Sequence, residues 1–245
     1  MQAVLRGLLV SAGLAAPAQA DELSPFVENV LTHVLLHEVA HALIREFDIP
    51  VLANEENMAD SFATAFITSQ FDPDISAPMI MDRVISWFYE AAQDDEPRLQ
   101  GEHEPDIRRA YRTLCMLYGT SPADYAHLTE PYPFSNRDLA DCGEIAEQKE
   151  AAWDRVLTPF LADAPSPNVE VAYGDVYLAE ATRNSGVMED VADIARRYDW
   201  PEKITFALRD CGDGTGAWWS RSEKTITLCD SYVDRFQSQD FAINQ

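Results

Sequence analysis

"LLHEVAHALIREFDIPVLANEENMADSFATAF", residues 35–66, sets charged and imidazole groups into two otherwise apolar runs. His37 and His41 are four apart, so on a helix they stack on one face and can both reach one ion. Glu38 stands beside them, placed to act on a metal-activated water without ligating the metal. This H-E-x-x-H spacing sets a general base next to a Lewis acid. A hydrolytic zinc site needs three protein ligands and an open position. Fourteen residues separate His41 from Glu56, and Asp60 follows Glu56 by four on the same helix face. Glu56 is therefore the expected third ligand. Asp60 is the expected acceptor for the remaining N–H of a ligating histidine, which fixes its tautomer. Glu55 competes with Glu56 but has Ala59 four residues on. His33 precedes His37 by four, yet two helical turns rise about 12 Å, too far for His33 and His41 to share an ion. A lining or supporting role is expected for it.

Working outward, Ser24 and Pro25 suit the start of a helix over 24–46, and Pro50 ends that segment. Helices are expected over 55–69, 77–92, 105–118 and 138–162, with "FDPD" as a stop and Gly119 as a C-terminal signal. "SPADYAHL" reads as a helical turn. The pattern then changes. "NVEVAYG" and "KITFALRDC" alternate like strands, and "GAWWSRSEKTITLC" reads as a hairpin turning near Ser220 to Glu223. Helix is expected over 187–198 and from about Ser231. The reading is an α+β fold, helical over 21–165 and sheet-bearing over 166–245, as one domain.

The pairing of His37-Glu38-x-x-His41 with Glu56-x-x-x-Asp60 resembles the thermolysin-like, glutamate-ligated zinc peptidases. That resemblance implies a mainly helical, zincin-like domain with Zn²⁺ on His37, His41 and Glu56, and Asp60 supporting a histidine. "FVENVLTHVLLHEVAHALIREFDIPVLANEENMADSFAT" and "EHEPDIRRAYRTLCMLYG" further resemble a family of exported bacterial proteins classed as metallopeptidases of unknown function. The likeness draws attention to His103, Arg109 and Cys115. His103 could donate to the oxyanion of a hydrated peptide; a loop or helix-capping histidine is the plainer alternative. "DCGDGTGAWWSRSEKTITLCDSYVD" is similar to a cysteine-bracketed segment expected in that family before the zinc helix. Here it follows, which implies a circular permutation or rearrangement. The "TITL" strand would be a sheet edge for pairing with an extended peptide, or else part of a stapled structural hairpin.

The N-terminus reads as an export signal. Arg6 precedes "GLLVSAGLAAP", and "AQA" at 18–20 suits cleavage after Ala20. The alternative is an apolar helix that stays in place. The run is too short to span a bilayer, so no stable membrane insertion is expected after its removal. A secreted or periplasmic protein follows. The net charge of −24 argues against nucleic acid and anionic membranes as partners. Four cysteines in an exported chain suggest disulfides, with Cys115–Cys142 and Cys211–Cys229 the economical pairing. A cysteine metal site lacks its C-x-x-C spacing. The leading reading is a zinc metallopeptidase acting on a peptide or protein, with Glu38 as base. The alternatives are a non-catalytic zinc-binding envelope protein and a zinc hydrolase of another amide bond.

Overall fold

The computed structural model describes residues 22–52, 54–94, 96 and 100–244; the expected signal at 1–20 lies outside them. Six helices come first: α1 (Pro25–Glu46), α2 (Glu55–Gln70), α3 (Pro73–Gln93), α4 (Asp106–Thr120), α5 (Pro122–Thr129) and α6 (Asn136–Leu157). A short 3₁₀ turn, Thr158–Phe160, leads to β1 (Val169–Tyr173), α7 (Ala179–Ser185), α8 (Val187–Ala195) and β2 (Ile204–Arg209). The chain closes with β3 (Ala217–Ser220), β4 (Thr225–Cys229) and α9 (Asp230–Ile243). The fold is α+β and mainly helical, with a small mixed sheet in the last third.

Helix α1 is the axis. Ser24 caps it, its Oγ accepting from the Val27 N–H at 3.3 Å, and Pro25 opens it. Buried residues recur on every side of α1, as expected of a helix enclosed by its neighbours. It packs against α2, α3, α8, α9, β3 and β4. One buried apolar cluster therefore runs from Leu23 and Leu35 in the helical part to Phe206, Ile226 and Phe236 in the sheet-bearing part.

Several helix boundaries differ from the sequence reading; helix α8, for one, ends at Ala195. Helix α3 begins at Pro73, because Asp72 and Pro73 make a helix start, and Pro78 lies inside it. Helix α6 stops at Leu157. Helix α4 runs through Gly119 to Thr120, and the glycine serves packing instead of termination. A Cβ at Gly119 would lie 2.1 Å from the carbonyl oxygen of Cys142 on α6. The Cys115–Cys142 disulfide joins the same two helices. Gly119→Ala must push two backbones apart, so a loss of at least roughly 1–3 kcal/mol is expected. Thermal unfolding of the oxidised protein measures it; an unchanged midpoint would mean the helices do not approach so closely.

The sheet order is β1-β2-β4-β3. The β1–β2 and β2–β4 pairs are parallel, and β3–β4 is the expected antiparallel hairpin. Helices α7 and α8 make the crossover that parallel β1 and β2 require. Helix α7 was not anticipated; Gly186, at φ 76°, separates it from α8. All five residues of β4 are buried. The expectation that "TITL" forms an edge is thus corrected: β2 pairs on its other side, and the edge strands are β1 and β3. Both sequence-local disulfides are present, Cys211–Cys229 bracketing the hairpin. Among the described residues, no helix is long and apolar enough to cross a membrane.

Candidate metal centre

Helices α1 and α2 lie side by side and present His37, His41 and Glu56 to one point. His37 Nε2 and His41 Nε2 are 3.0 Å apart. Glu56 Oε2 lies 3.1 Å from His37 Nε2, and Glu56 Oε1 3.4 Å from His41 Nε2. Behind each imidazole stands a carboxylate. His37 Nδ1 is 2.8 Å from Asp60 Oδ1, and His41 Nδ1 is 2.9 Å from Glu55 Oε1. Glu55, the competing ligand in the sequence reading, is therefore turned to the rear of His41, where Arg45 Nη2 also holds it at 2.6 Å.

This arrangement tests whether a metal ion fits. A neutral imidazole has one N–H. With each Nδ1–H given to its rear carboxylate, both Nε2 lone pairs point at the same place as the Glu56 carboxylate. Converging acceptors repel unless a cation lies among them, so the donor set suits a divalent ion. Burial pushes the His37 imidazolium down, but the charge and hydrogen bond of Asp60, with Glu56, outweigh it and hold its pKa up at about 9. Burial raises Glu56 as well, yet hydrogen bonds from His103, His37 and His41 keep its carboxyl far below the usual range.

Asp60 is itself anchored from a third helix. Arg109 on α4 donates from Nε to Oδ2 at 2.9 Å and from Nη2 to Oδ1 at 2.8 Å. Burial opposes the Asp60 charge, but the Arg109 guanidinium, with His37, keeps its pKa well below the ordinary value. The line Arg109–Asp60–His37 thus runs from α4 through α2 to α1. In the sequence only family likeness points to Arg109, and no local pattern ties it to Asp60, 49 residues away.

His103 reaches the centre from the loop before α4. Its Nε2 is 2.8 Å from Glu56 Oε2, with its side chain 56% exposed. His37, Glu56 and His103 each offer a ligand atom within 4.8 Å of the others. The loop is tied to the start of α2 by Asn54. Its Oδ1 accepts from the Asn57 N–H, and its Nδ2 donates to the Glu102 carbonyl at 3.0 Å. The sequence reading gave His103 an oxyanion-donor role; the structure sets it against the carboxylate of the candidate ligand.

Glu38 is buried at 7% exposure. Among the described residues no ion pair or side-chain hydrogen bond engages its carboxylate. It lines two cavities that meet at Glu38, His103 and Ala217. One, of about 540 Å³, also takes in His41, Glu55, Glu56, Trp218 and Trp219. The other, of about 260 Å³, takes in His33, His37, Arg83 and Arg109. His33 does not join the cluster. Its Nε2 lies 3.4 Å from Thr64 Oγ1, its ring meets Trp87 edge-on, and burial drives its pKa down to about 3.

Fold and site together define a mainly helical protein with a cluster of histidines and carboxylates that could hold a metal ion. The chain belongs to the family described as "Putative metallopeptidase" (DUF4344), whose model matches residues 11–157. The match spans α1 to α6 and ends before the sheet, so the likeness of the cysteine-bracketed hairpin lies beyond it. Comparisons with curated proteins and with solved structures return no match.

Proposed function

We propose that this chain is an exported zinc peptidase in which His37, His41 and Glu56 hold the ion and Glu38 is the general base. The observation that carries the reading is the convergence of two imidazole Nε2 atoms and one carboxylate, each imidazole fixed from behind by a second carboxylate. Two imidazoles and a carboxylate are a donor set that zinc accepts with a position left open. When bound, the ion would polarise the scissile carbonyl and make water a stronger acid.

The remaining work falls to the chain. Glu38, buried and with no competing partner among the described residues, takes the proton of the attacking water and passes it to the leaving amine. Asp60 and Glu55 hold the two imidazoles in the tautomer that frees Nε2. His103, on its exposed loop, can turn an N–H toward the carbonyl oxygen as charge develops there. The β3 edge borders the same cleft, where an extended peptide can add as a strand. The N-terminal leader pattern and the two disulfides support a secreted or periplasmic site of action. The buried cluster shared by helices and sheet supports residues 21–245 as one folded unit.

The position of His103 favours a second reading. Four protein ligands would close the sphere and leave a structural, non-catalytic centre. Metal analysis of wild type, Glu56→Ala and His103→Ala, beside a broad peptide-cleavage profile, separates the two. The peptidase reading expects stoichiometric zinc in wild type, little in Glu56→Ala, and full retention with slower cleavage in His103→Ala. Zinc lost from His103→Ala, with no peptide cut by wild type, would establish the closed site instead. Full-affinity metal in Glu56→Ala would remove Glu56 from the ligand set.

A further inference from the structure

The smaller cavity beside the metal centre is built unlike the rest of this acidic chain. Three guanidiniums line it, from Arg83, Arg109 and Arg235, and Glu38, at its junction with the centre, is the one carboxylate in the lining among the described residues. Two of the three cations are neutralised from behind. Arg109 is paired with Asp60, with Asp106 3.9 Å away, and Arg235 Nη2 is paired with Glu90 at 2.9 Å.

Arg83 differs. It is 4% exposed, and among the described residues no carboxylate pairs with it. Its Nη1 donates to Ser86 Oγ at 3.1 Å, and Ser86 in turn donates to Gln239 Oε1 at 2.7 Å, which fixes the guanidinium from α9. Its Nε is buried with no partner. The Trp87 ring lies 4.1 Å from its guanidinium carbon and 4.6 Å from that of Arg109, so two cations share one indole. Stacking on an aromatic face offsets only part of the cost of a buried charge. A guanidinium held rigidly, with free donors and no counter-ion, is a receptor for a planar anion.

The neighbouring groups narrow the ligand. Thr64 Oγ1 donates its hydrogen to the Asp60 carbonyl, so toward His33 Nε2 it can only accept. The N–H of neutral His33 is then on Nε2, and its buried Nδ1 is a bare acceptor. Arg83 and His33 both line this cavity, one with an unpartnered donor and the other with an unpartnered acceptor. An anion seated on Arg83, with water or an amide N–H toward His33, satisfies both.

We propose that this cavity binds a carboxylate of the substrate on one side of the bond that is cut, with Arg83 as the anion-binding residue. The inference rests on the peptidase reading for the identity of the substrate. The carboxylate is either an Asp or Glu side chain or a free peptide C-terminus. The second cavity, with Glu55, Glu56 and the two tryptophans, has the opposite polarity, so the cleft distinguishes the two ends of a peptide.

The test compares peptides matched except for Asp or Glu against Asn or Gln at each position, each made with a C-terminal acid or amide. Binding is measured by calorimetry on the metal-free protein, and cleavage on the zinc-loaded protein. Wild type should bind the carboxylate form at least about tenfold more tightly than its amide. Arg83→Gln should erase that preference and Arg83→Lys should keep part of it. The side-chain series and the terminal series identify the source of the carboxylate. Equal binding of acid and amide forms by wild type overturns the proposal without need of a variant. So does a preference that survives in a folded Arg83→Gln protein. Cleavage indifferent to carboxylates would sink the subsite and leave the peptidase standing; selective acid binding with no cleavage of any peptide would do the reverse.

Discussion

Asp60→Ala should lower both metal affinity and stability. Asp60 accepts from His37 Nδ1 at 2.8 Å and from two nitrogens of Arg109. Without it His37 loses the bond that fixes its tautomer, and a loss of about 10–100-fold in metal affinity follows. The Arg109 guanidinium, its side chain 10% exposed, is left among the described residues with Asp106 at 3.9 Å as its remaining carboxylate. Breaking a buried ion pair from one side costs about 3–5 kcal/mol. In a protein of this size that is a fall of roughly 6–20 °C in the unfolding midpoint. Metal titration and thermal unfolding of the metal-free variant measure the two effects apart. Wild-type affinity with wild-type stability would show that the Arg109–Asp60–His37 line carries no energy.

Glu38→Gln should leave the metal in place and reduce peptide hydrolysis by about 10²–10⁴-fold, the contribution typical of a positioned general base. The substitution keeps the shape of a side chain that is 7% exposed, so little change in stability is expected. It removes the one carboxylate at the junction of the two cavities that is not already engaged. Zinc content and cleavage rate on the same preparation check both halves. A variant that cuts peptides at the wild-type rate would exclude Glu38 as the base.

Much of the centre could be read from residues 35–66 because its geometry is local. Residues four apart on a helix share a face whatever surrounds them. That logic placed His37 beside His41 and Glu56 beside Asp60, and the packing of α1 on α2 brings the two pairs to one point. It could not assign Glu55, whose neighbour Ala59 offered no clue, to the rear of His41. Nor could it anticipate that Asn54 would tie the His103 loop to α2, since that bond spans 48 residues. In the last third, alternation announced β1, β2 and the hairpin but not their order. Parallel pairing leaves no local signature, so the edge was assigned to "TITL" when the edges are β1 and β3.

By itself, the sequence determined the helical class, the sheet-bearing end and which histidines and carboxylates share a helix face. Helical periodicity and strand alternation dictate all of these. Only the tertiary structure decided that Glu55 stands behind His41, which strand borders the cleft, and that Arg83 lies buried with no carboxylate paired to it among the described residues. Those facts depend on side chains from α2, α3, α9 and β3 meeting around α1. Charges and hydrogen bonds act on neighbours in space, and no spacing along the chain records who those neighbours are.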